Sequence, residues 1–290
     1  MDTGTYLEQF VDAFVKPFRA PNTTACYRRA FRALPASLLG QDLQQITGLQ
    51  LQSAINAKAS VHPRAAQLLY SALNVAMDQA VQLAMIPRSP MMGCRKPLHT
   101  AAKAAVLTAD QLQTYITTAR AEAAYPLLLL MASCGLRRGE ALGLRWDRVD
   151  LQRGVIVIDQ QRMRVHHGYQ LRPLKSASSH RILPIPAPIS AELAAITVRS
   201  FSGFVHDCTP EALAKAHRRV LEEAQLPRVT LHGLRHSMAT AAAAQGCPMK
   251  ILQGILGHSK YELTANLYAD HLTPDAYAPY LRSLSAALMG

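Results

Sequence analysis

Hydrophobic residues recur at helical spacing through the first ninety residues of the chain. In the segment 5–16, Leu7, Phe10 and Phe14 fall on one side of a helix, and a proline ends the pattern. The same spacing predicts three further helices, over 22–34, 46–59 and 63–86. We therefore expect an all-helical domain over residues 1–90.

The rest of the chain mixes helical and strand patterns. Thr108 is expected to cap a helix over 107–119, and the apolar segment 124–134 predicts a second helix. Alternating or β-branched residues predict a small antiparallel sheet from the segments 154–159, 160–172 and 180–186. The pattern is helical again from residue 210, and it ends with a predicted helix over 275–289.

Together these elements predict a mostly α-helical protein with a small antiparallel sheet. The segment 91–106 has no clear periodicity and contains glycine, proline and basic residues, as linkers do. We therefore expect a helical domain over 1–90, a linker over 91–106 and a mixed α/β domain over 107–290.

The chain is basic along its whole length, with a formal net charge of +12. Residues 1–100 carry 10 Lys and Arg against 5 Asp and Glu, and residues 101–290 carry 21 against 14. This distribution indicates a polyanionic partner, with ordinary surface charge as the alternative. The longest apolar run, 123–136, contains a proline and is too short to cross a membrane. Five widely separated cysteines are typical of a reducing compartment, so we expect a cytoplasmic protein with no membrane partner.

Six residues of the second part are candidates for phosphate chemistry: Arg137, Lys175, His232, Arg235, His258 and Tyr268. Guanidinium groups offer paired donors to phosphate oxygens and stay protonated, so the two arginines are candidates to hold a phosphate. His232 and His236, at i and i+4, are alternatively a metal-binding pair. No glutamate lies between them and no third ligand is evident, so no metal site is expected.

The motifs around these residues resemble those of the tyrosine site-specific recombinases, the phage integrase family. They read G-L-R-R-G-E at 135–140, H-G-L-R-H at 232–236, L-G-H at 256–258 and Y-A-D-H-L at 268–272. The resemblance is strong over 107–272 and weaker over 1–90, where it implies the family's helical core-binding domain. The second domain is then the mixed α/β catalytic domain.

The resemblance implies an enzyme that cuts and rejoins duplex DNA through a 3′-phosphotyrosine intermediate and a Holliday junction. It implies no metal, ATP or other cofactor. The phosphotyrosine conserves the energy of the broken bond, so the 5′-hydroxyl of the partner strand can reseal it. Four protomers are expected to assemble on two DNA sites, with an accessory directionality factor as a further candidate partner. The hairpin segment 160–172 resembles integrases of phages and conjugative elements more than chromosome-dimer resolvases. Integration or excision of a mobile element is therefore the expected role.

The same resemblance, together with the chemistry of phosphate transfer, distributes the roles. Tyr268 is expected to be the nucleophile, since a phenol near a base or strong positive field can attack phosphorus. His232 is the candidate acid or base, and His258 is expected to hydrogen-bond the phosphate. Lys175 is the candidate acid for the leaving 5′-oxygen.

Several neighbours of these residues are expected to support them or to compete with them. Glu140 is expected to be a buried partner that supports the site. The alternative role for Arg137 is a simple salt bridge with Glu140. His236 is expected to brace its helix, and Tyr261 is the alternative nucleophile.

Basic residues of the first domain and the linker are candidates for DNA contacts: Arg28, Arg29, Arg32, Lys58, Arg64, Arg95 and Lys96. The first predicted helix begins near residue 5, so we expect either that no arm-binding domain is used or that the start is truncated. The apolar stripe of 275–289 is expected to dock on a neighbouring protomer, or alternatively on its own domain.

Two other functions remain open at this point. A DNA-binding regulator would keep the fold and lose catalysis. Formation of a covalent DNA adduct would distinguish a recombinase from such a regulator. A zinc hydrolase using His232 and His236 would contain bound metal.

Overall fold

The computed structural model describes residues 1–98, 105–165, 168–174, 179–196 and 202–257. Lys175, His258, Tyr261, Tyr268 and the predicted helix 275–289 lie outside these residues. The chain divides into two compact units, Met1–Ala102 and Lys103–Gly290.

The first unit is entirely helical in the residues described. Its α-helices are α1 (Thr3–Phe10), α2 (Pro21–Phe31), α3 (Ala36–Leu39), α4 (Gly48–Val61) and α5 (Pro63–Gln82). A π-helical turn extends α1 through Val11–Val15. Asp2 caps α1, and Thr47 and Gln50 form a capping box at the start of α4. The apolar faces of these helices meet in one core that includes Leu7, Phe10 and Leu73.

The first part of the predicted linker packs on this helical unit. Met91 is buried in its core, within a short 3₁₀ helix over Pro90–Gly93. Tyr70 Oη donates to the carbonyl of Cys94 at 3.3 Å, and Gln67 Nε2 donates to the carbonyl of Pro97 at 2.9 Å. The segment through Pro97 is therefore held by side chains of α5.

The second unit contains seven α-helices and five strands in the residues described. The helices are α6 (Ala109–Ala119), α7 (Tyr125–Cys134), α8 (Arg138–Gly143), α9 (Ala187–Ala194), α10 (Pro210–Glu223), α11 (Leu231–Ala244) and α12 (Met249–Leu256). The strands are β1 (Val149–Asp150), β2 (Val155–Ile158), β3 (Gln160–Val165), β4 (Gly168–Pro173) and β5 (Arg181–Pro184). Thr108 caps α6 as the sequence predicts. The fold class, mostly α with small antiparallel sheets, is confirmed.

The strands form two antiparallel sheets, where the sequence predicted one. Strands β1, β2 and β5 form one sheet, with Ile156 opposite Leu183, and β3 pairs with β4, with Arg162 opposite Leu171. The chain leaves the first sheet at Asp159, whose carboxylate accepts from Arg148 Nε at 2.8 Å. One residue between β2 and β3 is enough to redirect the chain, and alternation along the sequence does not reveal such a break.

Helix α7 lies in the core of the second unit, and its C-terminal end leads to Arg137. Residues 126–132 are all buried, so the helix is apolar on every side. Gly135 ends it in the left-handed conformation (φ 66°), which favours glycine. This turn delivers Arg137 to the start of α8. No helix of the described residues is both long and apolar enough to span a membrane.

Candidate active site

Arg137 is the residue that precedes α8, and Glu140 closes the first turn of that helix. The Glu140 carboxylate accepts from the backbone N–H of Arg137 at 2.9 Å and from Arg137 Nη1 at 2.7 Å. The side chain of Arg137 remains 33% exposed, whereas that of Glu140 is 1% exposed. The salt bridge weighed as an alternative for Arg137 therefore exists, and it leaves part of the guanidinium open to solvent.

A second arginine, Arg181 of β5, also binds Glu140. Its Nη1 and Nη2 donate to the two carboxylate oxygens at 3.1 and 2.8 Å, and its side chain is 7% exposed. Burial alone would raise the pKa of Glu140, but the hydrogen bonds and charge of Arg181, with those of Arg137, hold that pKa below its ordinary value. Glu140 is therefore ionised and buried between two cations, and its supporting role stays a prediction.

Arg235 lies on α11 and is 1% exposed. Its Nη1 donates to the carbonyl of Gly135 at 2.6 Å, its Nη2 donates to the carbonyl of Leu256, and its Nε is buried with no hydrogen-bond partner among the described residues. Burial is the main cause that lowers the pKa of Arg235 to about 9, and the charge of Arg137 is the second cause. The guanidinium therefore stays charged at neutral pH, and its Nε donates to no described residue.

Both predicted phosphate-binding arginines reach the C-terminal end of α12. Arg137 Nη2 donates to the carbonyl of Gly257 at 2.9 Å, next to the Leu256 carbonyl that Arg235 binds. Two arginines that are about a hundred residues apart in the sequence thus come to consecutive carbonyls. The sequence-predicted pair is brought together.

His232 and His236 lie one turn apart on α11, which Thr230 caps at its N-terminus. Their rings meet edge to face, with centroids 4.4 Å apart. Although His232 is exposed, partial desolvation of its ring and the charges of Arg235 and Arg137 lower its pKa, so the ring is neutral at pH 7. The described residues contain no group of three or more His, Cys, Asp or Glu placed to bind a metal.

The structure therefore brings Arg137, Glu140, His232, Arg235 and His236 to one region of the second unit. Lys175, His258 and Tyr268 lie outside the described residues, and their roles stay predictions. Arg181 also belongs to the site, although it is not among the candidate residues of the sequence analysis. The signal available was its position in H-R-I-L-P, at the start of a strand that follows the predicted lysine loop.

The candidate DNA-contact residues of the first unit fall into different environments. Arg29, Lys58 and Arg64 line one pocket of about 530 Å³ between α2 and the junction of α4 and α5. Arg28 instead forms ion pairs with two carboxylates, those of Glu8 at 3.2 Å and Asp12 at 2.8 Å. The other three candidates, Arg32, Arg95 and Lys96, are exposed.

A model of the phage integrase family matches residues 105–274, which is more than half of the chain. The chain belongs to the phage integrase family. As a member it is a tyrosine site-specific recombinase, an enzyme that cleaves and rejoins DNA. The match begins close to the start of the second unit, so the arginines and histidines described above lie within the family's own domain.

Individual relatives of this phage integrase family member extend the likeness. It is 23% identical to a XerC-like tyrosine recombinase of Caldanaerobacter subterraneus, covering 93% of this chain and 79% of that one. It is 26% identical to the transposase of transposon Tn916 from Enterococcus faecalis, over 62% of this chain and 51% of the transposase. This chain therefore spans about half of the length of that relative.

Solved structures share the fold of this chain. The Tn1549 transposon integrase in complex with transposon right end DNA has a TM-score of 0.81, with 20% identity over 98% of this chain and all of that one. A lambda integrase dimer bound to a core site has a TM-score of 0.71, with 17% identity over 92% of this chain and 95% of that one.

Proposed function

We propose that this recombinase integrates and excises a phage or other mobile element at specific DNA sites. The observation that carries the proposal is the convergence of Arg137 and Arg235 on the end of α12, within a site that also contains the neutral His232. The likeness to a transposon transposase and a transposon integrase supports the mobile-element role.

The chemistry proposed is attack by Tyr268 on the scissile phosphate, with release of the 5′-hydroxyl and formation of a 3′-phosphotyrosine. Arg137 and Arg235 neutralise charge on the non-bridging oxygens. The buried Nε of Arg235, which donates to no described residue, supports this role, because a phosphate oxygen would satisfy a buried donor. A neutral His232 is in the form that accepts a proton or hydrogen bond. Lys175 would protonate the leaving oxygen, and His258 would hydrogen-bond the phosphate.

The proposed partners are duplex DNA, further copies of this chain and an accessory directionality factor. The solved lambda integrase forms a dimer on a core site and a tetramer on a Holliday junction, which supports a tetramer here. The pocket lined by Arg29, Lys58 and Arg64 is the proposed phosphate-binding surface of the first unit. No cofactor is proposed.

The decisive experiment compares Tyr268→Phe with its matched control, Tyr261→Phe. Each protein is incubated with a nicked duplex that carries the recombination site, taken from DNA flanking the gene, and adducts are counted on a denaturing gel. We expect Tyr268→Phe to bind DNA with unchanged affinity and form no adduct, because only the attacking oxygen is removed. Tyr261→Phe should form the wild-type amount.

Other outcomes point elsewhere. A normal adduct yield from Tyr268→Phe would assign the nucleophile to another residue, and loss in Tyr261→Phe alone would assign it to Tyr261. A wild-type chain that binds the site and never forms an adduct would identify a DNA-binding regulator.

A further inference from the structure

Three arginines bind three consecutive backbone carbonyls at the C-terminal end of α12. Arg181 Nε donates to Ile255 at 2.8 Å, Arg235 Nη2 donates to Leu256, and Arg137 Nη2 donates to Gly257 at 2.9 Å. The last carbonyls of a helix have no donors within the helix and carry partial negative charge. The end of α12 is therefore an acceptor that three separate elements share: β5, α11 and the residue before α8.

Arg181 differs from the other two arginines in what it has left to offer. Four of its five N–H groups are used, by Ile255, by both oxygens of Glu140 and by the carbonyl of Ser179 at 3.1 Å. Its side chain is 7% exposed. Arg137, which is one-third exposed, and Arg235, with its unused Nε, keep donors for a ligand.

Glu140 provides a second link between Arg137 and Arg181. It is the buried carboxylate that accepts from Arg137 and from Arg181, so Arg181 bridges that carboxylate and the end of α12. Without Arg181, Glu140 would keep, among the described residues, only its bonds to Arg137, and the Ile255 carbonyl would lose this donor. The positions of the Arg137 side chain and of the α12 end would then be free to shift together.

We infer that Arg181 is a positioning residue for DNA cleavage. It holds Glu140 against the end of α12 and thereby sets the geometry of Arg137 and Arg235, without touching the phosphate itself. This inference rests on the proposed function, because it assigns the two arginines to a scissile phosphate. Misplacing catalytic groups by an ångström slows a reaction by up to about 100-fold, so the effect is measurable.

The test uses Arg181→Gln and Arg181→Lys in the full chain, on the same nicked duplex at saturating protein. Glutamine removes the charge and the fork, and lysine keeps the charge but cannot reach both Glu140 oxygens and Ile255 at once. The matched control is Arg219→Gln, because Arg219 binds both oxygens of Glu122 in the same unit, outside the site. We expect unchanged DNA affinity and a cleavage rate reduced about 100-fold in the Arg181 variants alone.

A second substrate separates positioning from general structural damage. A methylphosphonate at the scissile position replaces one charged oxygen with a methyl group, so less charge has to be neutralised by the two arginines. If Arg181 acts through them, the ratio of variant to wild-type rate should recover substantially on this substrate. Melting curves of each variant are recorded in parallel.

Several results would overturn the inference. These are a wild-type rate in both Arg181 variants, an equal defect on the two substrates, or an equal defect in Arg219→Gln. If Arg181→Gln does not fold, the ratio of variant to wild-type rate on the two substrates is measured for Arg181→Lys instead. If Arg181→Lys also fails to fold, the role of Arg181 is structural and the inference is wrong. A wild-type chain that forms no adduct on either substrate would instead reject the proposed function.

Discussion

His217 lies in the core of the second unit with both ring nitrogens hydrogen-bonded. Its Nε2 is 2.8 Å from the carbonyl of Val229, and its Nδ1 is 2.8 Å from Tyr115 Oη. A carbonyl only accepts, so Nε2 carries the proton and Nδ1 accepts from the tyrosine. Burial raises the pKa of Tyr115, which keeps that hydroxyl protonated. Both residues are therefore held as a neutral pair.

This pair predicts how stability depends on pH at the residue scale. Burial lowers the pKa of His217 below its ordinary 6.5, so the unfolded chain binds a proton there before the folded chain does. The contribution of His217 to the free energy of unfolding should therefore be fully present well above pH 6.5 and be lost as pH drops below it. Urea titrations followed by fluorescence of Trp146, the only tryptophan, report this unit.

His217→Gln tests the assignment, since the variant lacks the titrating group. It should be less stable at neutral pH and lose less stability on acidification than the wild type. His62→Gln, at an exposed histidine of the first unit, is the control and should follow the wild-type curve. An unchanged pH dependence in His217→Gln would assign the acid sensitivity to other groups.

At the scale of elements, α8 and β3 approach closely because a glycine lies between them. A Cβ on Gly143 would lie 2.8 Å from the backbone N of Arg162 and 2.9 Å from the backbone C of Gln161. The Gly143 carbonyl also accepts from Gln160 Nε2 at 3.1 Å. The glycine of the E-A-L-G-L segment is thus required by the packing of the hairpin on the helix that follows Arg137.

Gly143→Ala should therefore destabilise the second unit. The atoms that the new methyl meets are backbone atoms of a paired strand, which cannot rotate away, and overpacking typically costs about 1–3 kcal/mol. The measurement is urea unfolding followed by Trp146 fluorescence.

The control for this substitution is Gly254→Ala, at an exposed helical glycine of α12, where a Cβ would meet no described atom within 4 Å. It should be neutral or should stabilise the unit by up to about 1 kcal/mol, since alanine favours helix. Equal effects of the two substitutions on stability would mean that helix propensity, and not the close approach of β3, determines the effect of Gly143→Ala.

At the scale of the whole molecule, both units are positively charged, and binding to DNA should weaken steeply with salt. Each phosphate that the protein neutralises contributes about −0.9 to the slope of log affinity against log salt. Replacing Arg29, Lys58 and Arg64 together by glutamine should therefore flatten the slope by up to about 3. Filter binding or fluorescence anisotropy with a duplex over a range of salt concentrations measures it.

Arg28→Gln is the matched control, because Glu8 and Asp12 already neutralise that arginine within the unit. Its slope should equal that of the wild type. A triple variant with an unchanged slope would remove the pocket of the first unit from the DNA-binding surface.

The prediction of the fold succeeded where local rules are sufficient. The four long helices of the first unit and the cap at Thr108 follow from apolar spacing and capping residues, which act over a few residues. The division of strands into two sheets was not predicted, because it depends on pairing partners and not on alternation along each strand.

The sequence by itself determined the chemistry available to this protein: its basic charge, its helical architecture and an ordered set of arginines and histidines typical of one family. Only the tertiary structure decided how these groups are used. It paired Arg28 with Glu8 and Asp12, and it brought Arg137, Arg181 and Arg235 to the end of α12. The physical reason is that a guanidinium is positioned by whichever acceptors surround it in space, and those acceptors come from distant parts of the chain.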